Sequence, residues 1–578
     1  MTKLPVLDII MNNNIDRKNK MYIEISKKVT KSKVYEYILL RTSTRDKKSG
    51  KIVKKTIANL TDEPVEKVMA LINAFKGNQA VNPDDLKQGK TIGFSLVIVF
   101  IMKLLGILTL LGKTFEAKIA ILLIVARIIL QSSRLQALYW AKDEDKILDI
   151  LKFNDDEKNR LNNKSIYLGL DYLYERQSQI EDNLFKAYYK DNPPKRLFYD
   201  VTSSYVEGDY SDSELVAYGY NRDKKQGKAQ IVIGLLTDEK AHAISIQAYK
   251  GNTNDIQTFK EQLDKLKNRF KLENITIVGD GGVIKSEDIT RIKEFGYDYI
   301  TSISKPSIKK LINDENSKIE MSLFDEDLQE IIENNSRYIL RCNPVRRDEI
   351  RESRNSKIER LKVFIRDKTD YYNTHYRAKK ETLIKAIDKK ISDLKLTKFV
   401  TTCINYKDGD CKIEDKDKNI VIKTKALAEV EILIDEEAKR EIEKLDGCYA
   451  IKTSLTDKKD TKEDIHQSYK NLINVENAFK TLKTDYLEIR PLYLKTDKRI
   501  KGHIFLSMLS YNIVLKLREY IKVCNLDFKS TITSLKGVST TVVQVSKKLT
   551  INYIPEVNEK LKNLFKVMEF TMPKKVDY

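Results

Sequence analysis

The order in which apolar spacing changes between residues 196 and 302 restricts the fold more tightly than any other feature of this chain. Residues 196–206, 229–236 and 241–249 have the composition of strands, and 237–240 supplies a turn between the second and third. A helical stripe follows, Ile256, Phe259, Leu263, Leu266 and Phe270, opened by Asn254 as a cap with Gln257 three residues on. Residues 274–278 make a short apolar strand that ends in Gly279-Asp280-Gly281-Gly282. Ser286 then caps a second helix, with Glu287 and Asp288 in its first turn, and 297–302 is a fifth strand. Three meandering strands followed by strict alternation predict an α/β domain on a mixed five-stranded sheet.

At 578 residues the chain exceeds what one core organises. Composition divides it into a basic module at 1–90, a helical region at 91–192, the α/β core at 195–305 and 446–525, a charged insertion at 306–445, and a mixed tail at 526–578. Residues 91–112 and 118–130 are apolar enough to raise a membrane span, but Lys103 and Arg127 interrupt them, so both are expected as buried helices. Residues 1–20 are polar where a signal peptide needs an apolar stretch. Trp140 is expected in the core. In the insertion, Leu383, Ile384, Ile387, Ile391 and Leu394 form a helical stripe flanked by strands at 398–406 and 428–434. A last strand at 448–455 and a long apolar helix at 499–523 complete the core.

The net charge of +21 favours a polyanionic partner, above all nucleic acid. Residues 1–60 alone hold fifteen Lys/Arg against five Asp/Glu. Strands at 21–26, 34–42 and 51–58, a turn at 46–50 and a helix at 64–75 would present Arg41, Arg45, Lys47, Lys48, Lys54 and Lys55 to the phosphates of double-stranded DNA. Five cysteines without a CxxC pair and four histidines without HExxH spacing argue against a zinc site and a disulfide framework, and point to a reducing compartment.

Asp200 is an acid in the middle of an apolar strand, and Asp280 ends another beside two glycines. A charge so placed is costly unless paired or bound to metal. With these strands adjacent, the two carboxylates would repel, and Mg²⁺ or Mn²⁺ is the usual remedy. The helix expected over 468–485 has an apolar stripe of Leu472, Val475, Phe479 and Leu482, with Tyr469, Glu476 and Lys483 in a row on its edge. Glu476 is the best third carboxylate. Two such ions about 3.5–4 Å apart would serve phosphodiester cleavage.

These residues resemble the ribonuclease-H-like core of insertion-sequence DDE transposases, and Tyr469, Glu476 and Lys483 match the Tyr-x2-Arg-x3-Glu-x6-Lys signature of one branch. YGYNRDKKQGKAQIVIGLL at 218–236, YKGNTNDIQTF at 249–259, VGDGG at 278–282, EIRPLYLKTDKRIKGHIFLSML at 488–509 and ARIILQSSRLQALYWA at 126–141 fit the same family. The resemblance implies a cut-and-paste transposase acting on the terminal inverted repeats of its own element, as a homodimer, in the cytoplasm and associated with the nucleoid. It implies Asp200, Asp280 and Glu476 as catalytic metal ligands and Tyr469 and Lys483 as phosphate contacts. Leu472 stands where the family has its arginine, and Arg490 or Lys480 is left to substitute. A nuclease that cuts without joining and a non-catalytic DNA-binding derivative are the alternatives.

Overall fold

The computed structural model describes residues 21–29, 34–45, 52–76, 86–222, 227–333, 336–414, 420–485, 487, 489–546 and 549–573. The first core strand forms as β1 (Arg196–Tyr205), buried along nearly its whole length because layers cover both faces of its sheet. β2 (Gln230–Thr237) and β3 (Ala243–Lys250) follow as antiparallel neighbours. β4 (Thr276–Val278) and β5 (Asp298–Ser302) run parallel to β1 on its other side. Three later strands, β6 (Gln329–Glu333), β7 (Ser336–Cys342) and β8 (Cys448–Thr453), bring the sheet to eight in the order β6-β7-β8-β5-β4-β1-β2-β3. The five expected strands are therefore contiguous, and the sheet is wider than expected. β8 pairs antiparallel with β5, covering an edge that would otherwise be left open. β6 and β7 escape a sequence reading because they are short and carry Glu330, Glu333, Arg337 and Arg341 among their apolar residues.

α1 (Leu168–Tyr189) lies along β3. α2 (Asp255–Asp264) and α3 (Ser286–Glu294) cover the face that carries Leu197, Tyr199 and Val201. Asn254 caps α2 through a bond from the Gln257 amide at 2.9 Å, as expected. Ser286 is not the cap of α3 but its first residue; Asp288 instead reaches back to the Lys285 amide at 3.0 Å. The opposite face, carrying Phe198, is covered by α4 (Lys462–Lys470), α5 (Ile473–Lys480) and α6 (Asp497–Val523). The single helix expected over 468–485 is thus α4, α5 and a wide turn at Thr481–Asp485.

The apolar run at 91–112 is two helices, Gly93–Leu104 and Ile107–Leu111, separated at Gly106, whose φ of 71° favours glycine. Lys103 reaches solvent, and Arg127 in the helix Phe115–Leu130 donates to the Leu487 carbonyl at 3.4 Å. Among the described residues no helix is long and apolar enough to cross a membrane. Trp140 is buried, in a wide turn that breaks the helix expected there.

Strands Met21–Val29, Val34–Arg45 and Ile52–Asn59 form the N-terminal antiparallel sheet. The turn expected at 46–50 lies outside the described residues. Leu86–Thr91 pairs with Ser539–Ser546 of the tail, which pairs in turn with Leu549–Tyr553. No alternation in LKQGKT announces that strand. The insertion holds a 31-residue helix, Pro344–Thr374, against Lys380–Asp393 and the hairpin Val400–Glu414/Ile420–Ile434, with a core of its own around Leu361 and Ile387.

Two positions give tests of this packing. A Cβ on Gly502 of α6 would lie 2.2 Å from the Leu170 carbonyl oxygen of α1, so the helices meet backbone to backbone. Alanine for a mid-helix glycine ordinarily stabilises by about 1 kcal/mol. Gly502→Ala is expected to destabilise instead, by about 1–3 kcal/mol, read as a lowered thermal midpoint. Asp145, 4% exposed, accepts from Thr91 Oγ1 at 2.6 Å and Ser95 Oγ at 2.7 Å. Burial nevertheless pushes its carboxyl up to about 6. The folded state therefore holds this proton more tightly than the unfolded state, so its contribution is complete below the unfolded value of 3.8 and is lost as pH rises through about 6. Wild-type stability should fall between about pH 4 and pH 6, by up to about 3 kcal/mol at this one group. Asp145→Asn should flatten that slope in thermal unfolding.

Candidate active site

Tyr199 and Val201 enter the α2/α3 core, so Asp200 between them faces the other side of the sheet, with Phe198. In the parallel β1–β4 pair Phe198 stands opposite Val278, and both join the core that receives Val475, Ala478 and Phe479 of α5. Two residues further along each chain come Asp200 and Asp280. The pairing ends at Phe198 and Val278, and Asp280 lies two residues past it, near enough for its charge to act on Asp200.

Asp280 is fixed by the turn it begins. Its Oδ1 accepts from the amides of Gly282 at 3.0 Å and Val283 at 2.9 Å. The Gly281 amide donates to Ser302 Oγ at 3.2 Å, and a Cβ at 281 would lie 2.5 Å from the Ser302 carbonyl oxygen. Only glycine lets this turn close on the end of β5.

Glu476 arrives from the opposite layer. At Asn471-Leu472 the chain keeps helical angles but tightens: the Leu472 amide donates to the Tyr469 carbonyl and that of Asn474 to Asn471. Asparagine is a weak helix former, and Asn471, Asn474 and Asn477 crowd this joint. Glu476 consequently sits in the first turn of α5, near its positive end, and is exposed while Val475 and Phe479 are buried beside it. Leu472, at the position of the family arginine, packs partly buried against the core.

The electrostatics tie these groups together. Burial pushes the Asp200 carboxyl up to about 7; the charges of Asp280 and Glu476 add to the rise, and Arg222 opposes it. Burial also raises the Tyr469 phenol, which meets Ser302 and feels Asp280 and Glu476. Asp200, Asp280, Glu476 and Tyr469 are therefore neighbours, with Asp200 half-buried and Asp280 and Glu476 open to solvent. Lys483 lies half-buried in the turn Thr481–Asp485, and Arg490 half-buried on the loop to α6.

The donor set suits a hard divalent cation. It is all oxygen, and the enclosed Asp200 carries two like charges beside it. Among the described residues no three His, Cys, Asp or Glu side chains stand close enough to enclose a metal alone. Mg²⁺ is ordinarily held in such a way, by one or two carboxylates with water and substrate phosphates completing its shell. The histidines take no part. His466 is buried, bonded to the Tyr449 hydroxyl at 2.5 Å, and burial pushes its imidazole down to about 4. His503 is enclosed in α6, its imidazole held far below the usual range by burial.

Arg222 was not foreseen. Its amide donates to Ser203 Oγ at 3.1 Å and its guanidinium pairs with Asp255, the first residue of α2. No periodicity reveals it, since it lies in an irregular loop.

In the N-terminal module Arg41 and Lys54 both reach Glu24, at 3.0 and 3.3 Å, and Lys55 is exposed. Lys47 and Lys48, and the side chain of Arg45, lie outside the described residues.

If Glu476 is there for chemistry and not for packing, its removal should leave the fold alone. Glu476→Gln is expected to shift stability by less than about 0.5 kcal/mol. Phe479→Ala, one turn on, should cost about 3–5 kcal/mol in the same thermal-unfolding assay.

A family model described as the transposase DDE domain matches residues 191–513. No curated protein matches the chain. Among solved structures, one similar chain is that of the Mos1 transposase paired-end complex with the left transposon end. It is 12% identical with a TM-score of 0.14, and the match covers 29% of this chain and 59% of that one. A likeness at that score carries no argument. The family match takes in more than half of the sequence, from the residues before β1 into α6, with Asp200, Asp280 and Glu476 inside it. On that match, the chain belongs to the transposase DDE domain family.

Proposed function

We propose that this protein is the DNA transposase of an insertion sequence, cutting and rejoining strands at its element's terminal inverted repeats by a cut-and-paste route on an RNase-H-like core. The observation that carries this reading is the effect of the Asp280 and Glu476 charges on the buried Asp200 carboxyl, with Asp280 just past the end of β4 and Glu476 on α5, both open to solvent. The strand order, with the three-strand meander beside two parallel strands, supports the fold assignment.

Asp200, Asp280 and Glu476 would hold Mg²⁺ or Mn²⁺, two ions being what such a reaction uses. Bound there, such ions acidify a water or a 3′-hydroxyl and stabilise the leaving oxygen of an in-line displacement. Asp280, locked by two backbone amides, keeps its geometry through the reaction. Tyr469, Lys483 and Arg490 contact phosphates of the cut end. Arg41, Arg45, Lys47, Lys48, Lys54 and Lys55 grip double-stranded DNA further out, Arg41 and Lys54 exchanging Glu24 for phosphate. Two copies of the chain hold the two ends together, in the cytoplasm at the nucleoid. Leu472 favours a second reading, a structure-selective nuclease that cuts but does not join, because the cation the signature places there is absent.

With a duplex carrying the terminal repeat and Mg²⁺, Asp200→Asn, Asp280→Asn and Glu476→Gln should each lower cutting about a thousandfold or more, the scale set by losing one transition-state-stabilising group. Gel-shift binding of the same duplex should persist, and EDTA should stop the wild-type reaction. Undiminished cutting by any of the three variants would overturn the site. Cutting without any strand-transfer product would favour the nuclease.

A further inference from the structure

Segments 126–141 and 488–509 meet at one small cavity that none of the three acids lines. Arg127, Ser132, Ser133 and Arg134 reach it from the first segment and His503 of α6 from the second, with Leu170 of α1 beside them. The close contact of α1 with α6 sets its geometry, since Gly502, next to His503, meets the Leu170 carbonyl backbone to backbone. Arg127 also donates to the Leu487 carbonyl at 3.4 Å, just past the turn that carries Lys483. Arg134 lies over the Tyr167 ring at 5.5 Å, and Arg499, one turn before His503, lies over the same ring at 4.5 Å.

The polar groups on this cavity lack acceptors. Among the described residues, Ser132 Oγ and Arg134 Nε are buried without a hydrogen-bond partner. His503 is 3% exposed, and its ring makes no hydrogen bond to any of them. Burial and the charges of Arg127 and Arg134 hold its imidazole far below the usual range, so it is neutral and keeps one N–H to give. No carboxylate lines the cavity. Water would fill the space but brings no charge, whereas guanidinium, imidazole and hydroxyl donors together suit an anion. The cavity holds about 10 Å³, room for one oxygen-sized atom, and Ser133 on its lining is exposed. One oxygen presented from outside is what a phosphodiester backbone offers, and the net charge of +21 favours that polymer. We propose that Arg127, Ser132, Arg134 and His503 form a pocket for one phosphate oxygen of the DNA backbone, a grip on the bound end separate from the acids. This rests on the reading of DNA as the substrate and adds a contact to it.

The test uses the full-length protein without metal, so that nothing is cut, and fluorescence anisotropy with a labelled terminal-repeat duplex at several salt concentrations. Arg134→Gln should lose about tenfold in affinity. Its plot of log affinity against log salt should become shallower by about one, because one phosphate fewer is neutralised. Arg134→Lys should keep the wild-type slope, and Ser132→Ala should weaken binding with the slope unchanged, because a hydroxyl displaces no counterion. Unchanged affinity in Arg134→Gln, or a loss at the wild-type slope, would overturn the proposal. So would equal losses in the Gln and Lys variants with a lowered thermal midpoint, which would make Arg134 structural. Inorganic phosphate at fixed ionic strength separates the two sources of the anion. If it raises the thermal midpoint of the wild type but not of Arg134→Gln, while both bind the duplex alike, the pocket serves the free ion and the assignment to DNA falls. Asp200→Asn should bind the duplex like wild type. Failure of the active-site reading would appear separately, as cutting that survives that substitution.

Discussion

Burial of the Asp200 carboxyl, with the charges of Asp280 and Glu476 beside it, is the constraint on which the acid-bearing edge depends. Taking the Asp200 carboxylate out of water is the larger cost, and the like charges of Asp280 and Glu476 add to it. A buried carboxyl of this kind is retained only where something offsets its cost, and the Arg222 charge does so in part. β4 stops at Val278, so Asp280 emerges where the sheet opens, and a turn that depends on Gly281 locks it against β5. α5 crosses β1 and β2 with Val475 and Phe479 beneath it and Glu476 outward at its first turn.

The more distant parts support that arrangement mechanically. The turn after α5 is held from the helical region, Arg127 donating to the Leu487 carbonyl, and from α6, Arg518 reaching Thr481 Oγ1 at 3.2 Å. α6 runs through the middle of the largest core and touches α1 at Gly502. The insertion between β5 and α4 is more than an appendage, since its first strands, β6 and β7, continue the central sheet through β8. The acid-bearing edge is thus embedded in a broad sheet, while the charged helices and hairpin of the insertion stand around their own core.

Much of this was legible in the residues. The strands and helices from 196 to 302 followed from periodicity because each is a short buried segment punctuated by glycine, proline or a cap, and local chemistry decides such elements. Asp200 and Asp280 stood out as charges in apolar surroundings, and Glu476 as an acid on the edge of an apolar stripe. What escaped was decided elsewhere in the chain. The strand Leu86–Thr91 is extended because the tail pairs with it. β7 is a strand because β8 lies beside it, and β6 because β7 does. The tightening at Asn471-Leu472 follows from weak propensity within a correct helical pattern, which periodicity does not resolve. Arg222 belongs to a loop, and only the fold brings it to Asp200.

The central claim is that three separated acids share divalent metal, and binding of that metal tests it apart from any DNA chemistry. Mn²⁺ titrated into the full-length protein and followed by electron paramagnetic resonance should show bound ions in the wild type. It should show marked weakening in Asp200→Asn, Asp280→Asn and Glu476→Gln. Mn²⁺ binding that is absent from the wild type, or that is unchanged in all three variants, would contradict the account.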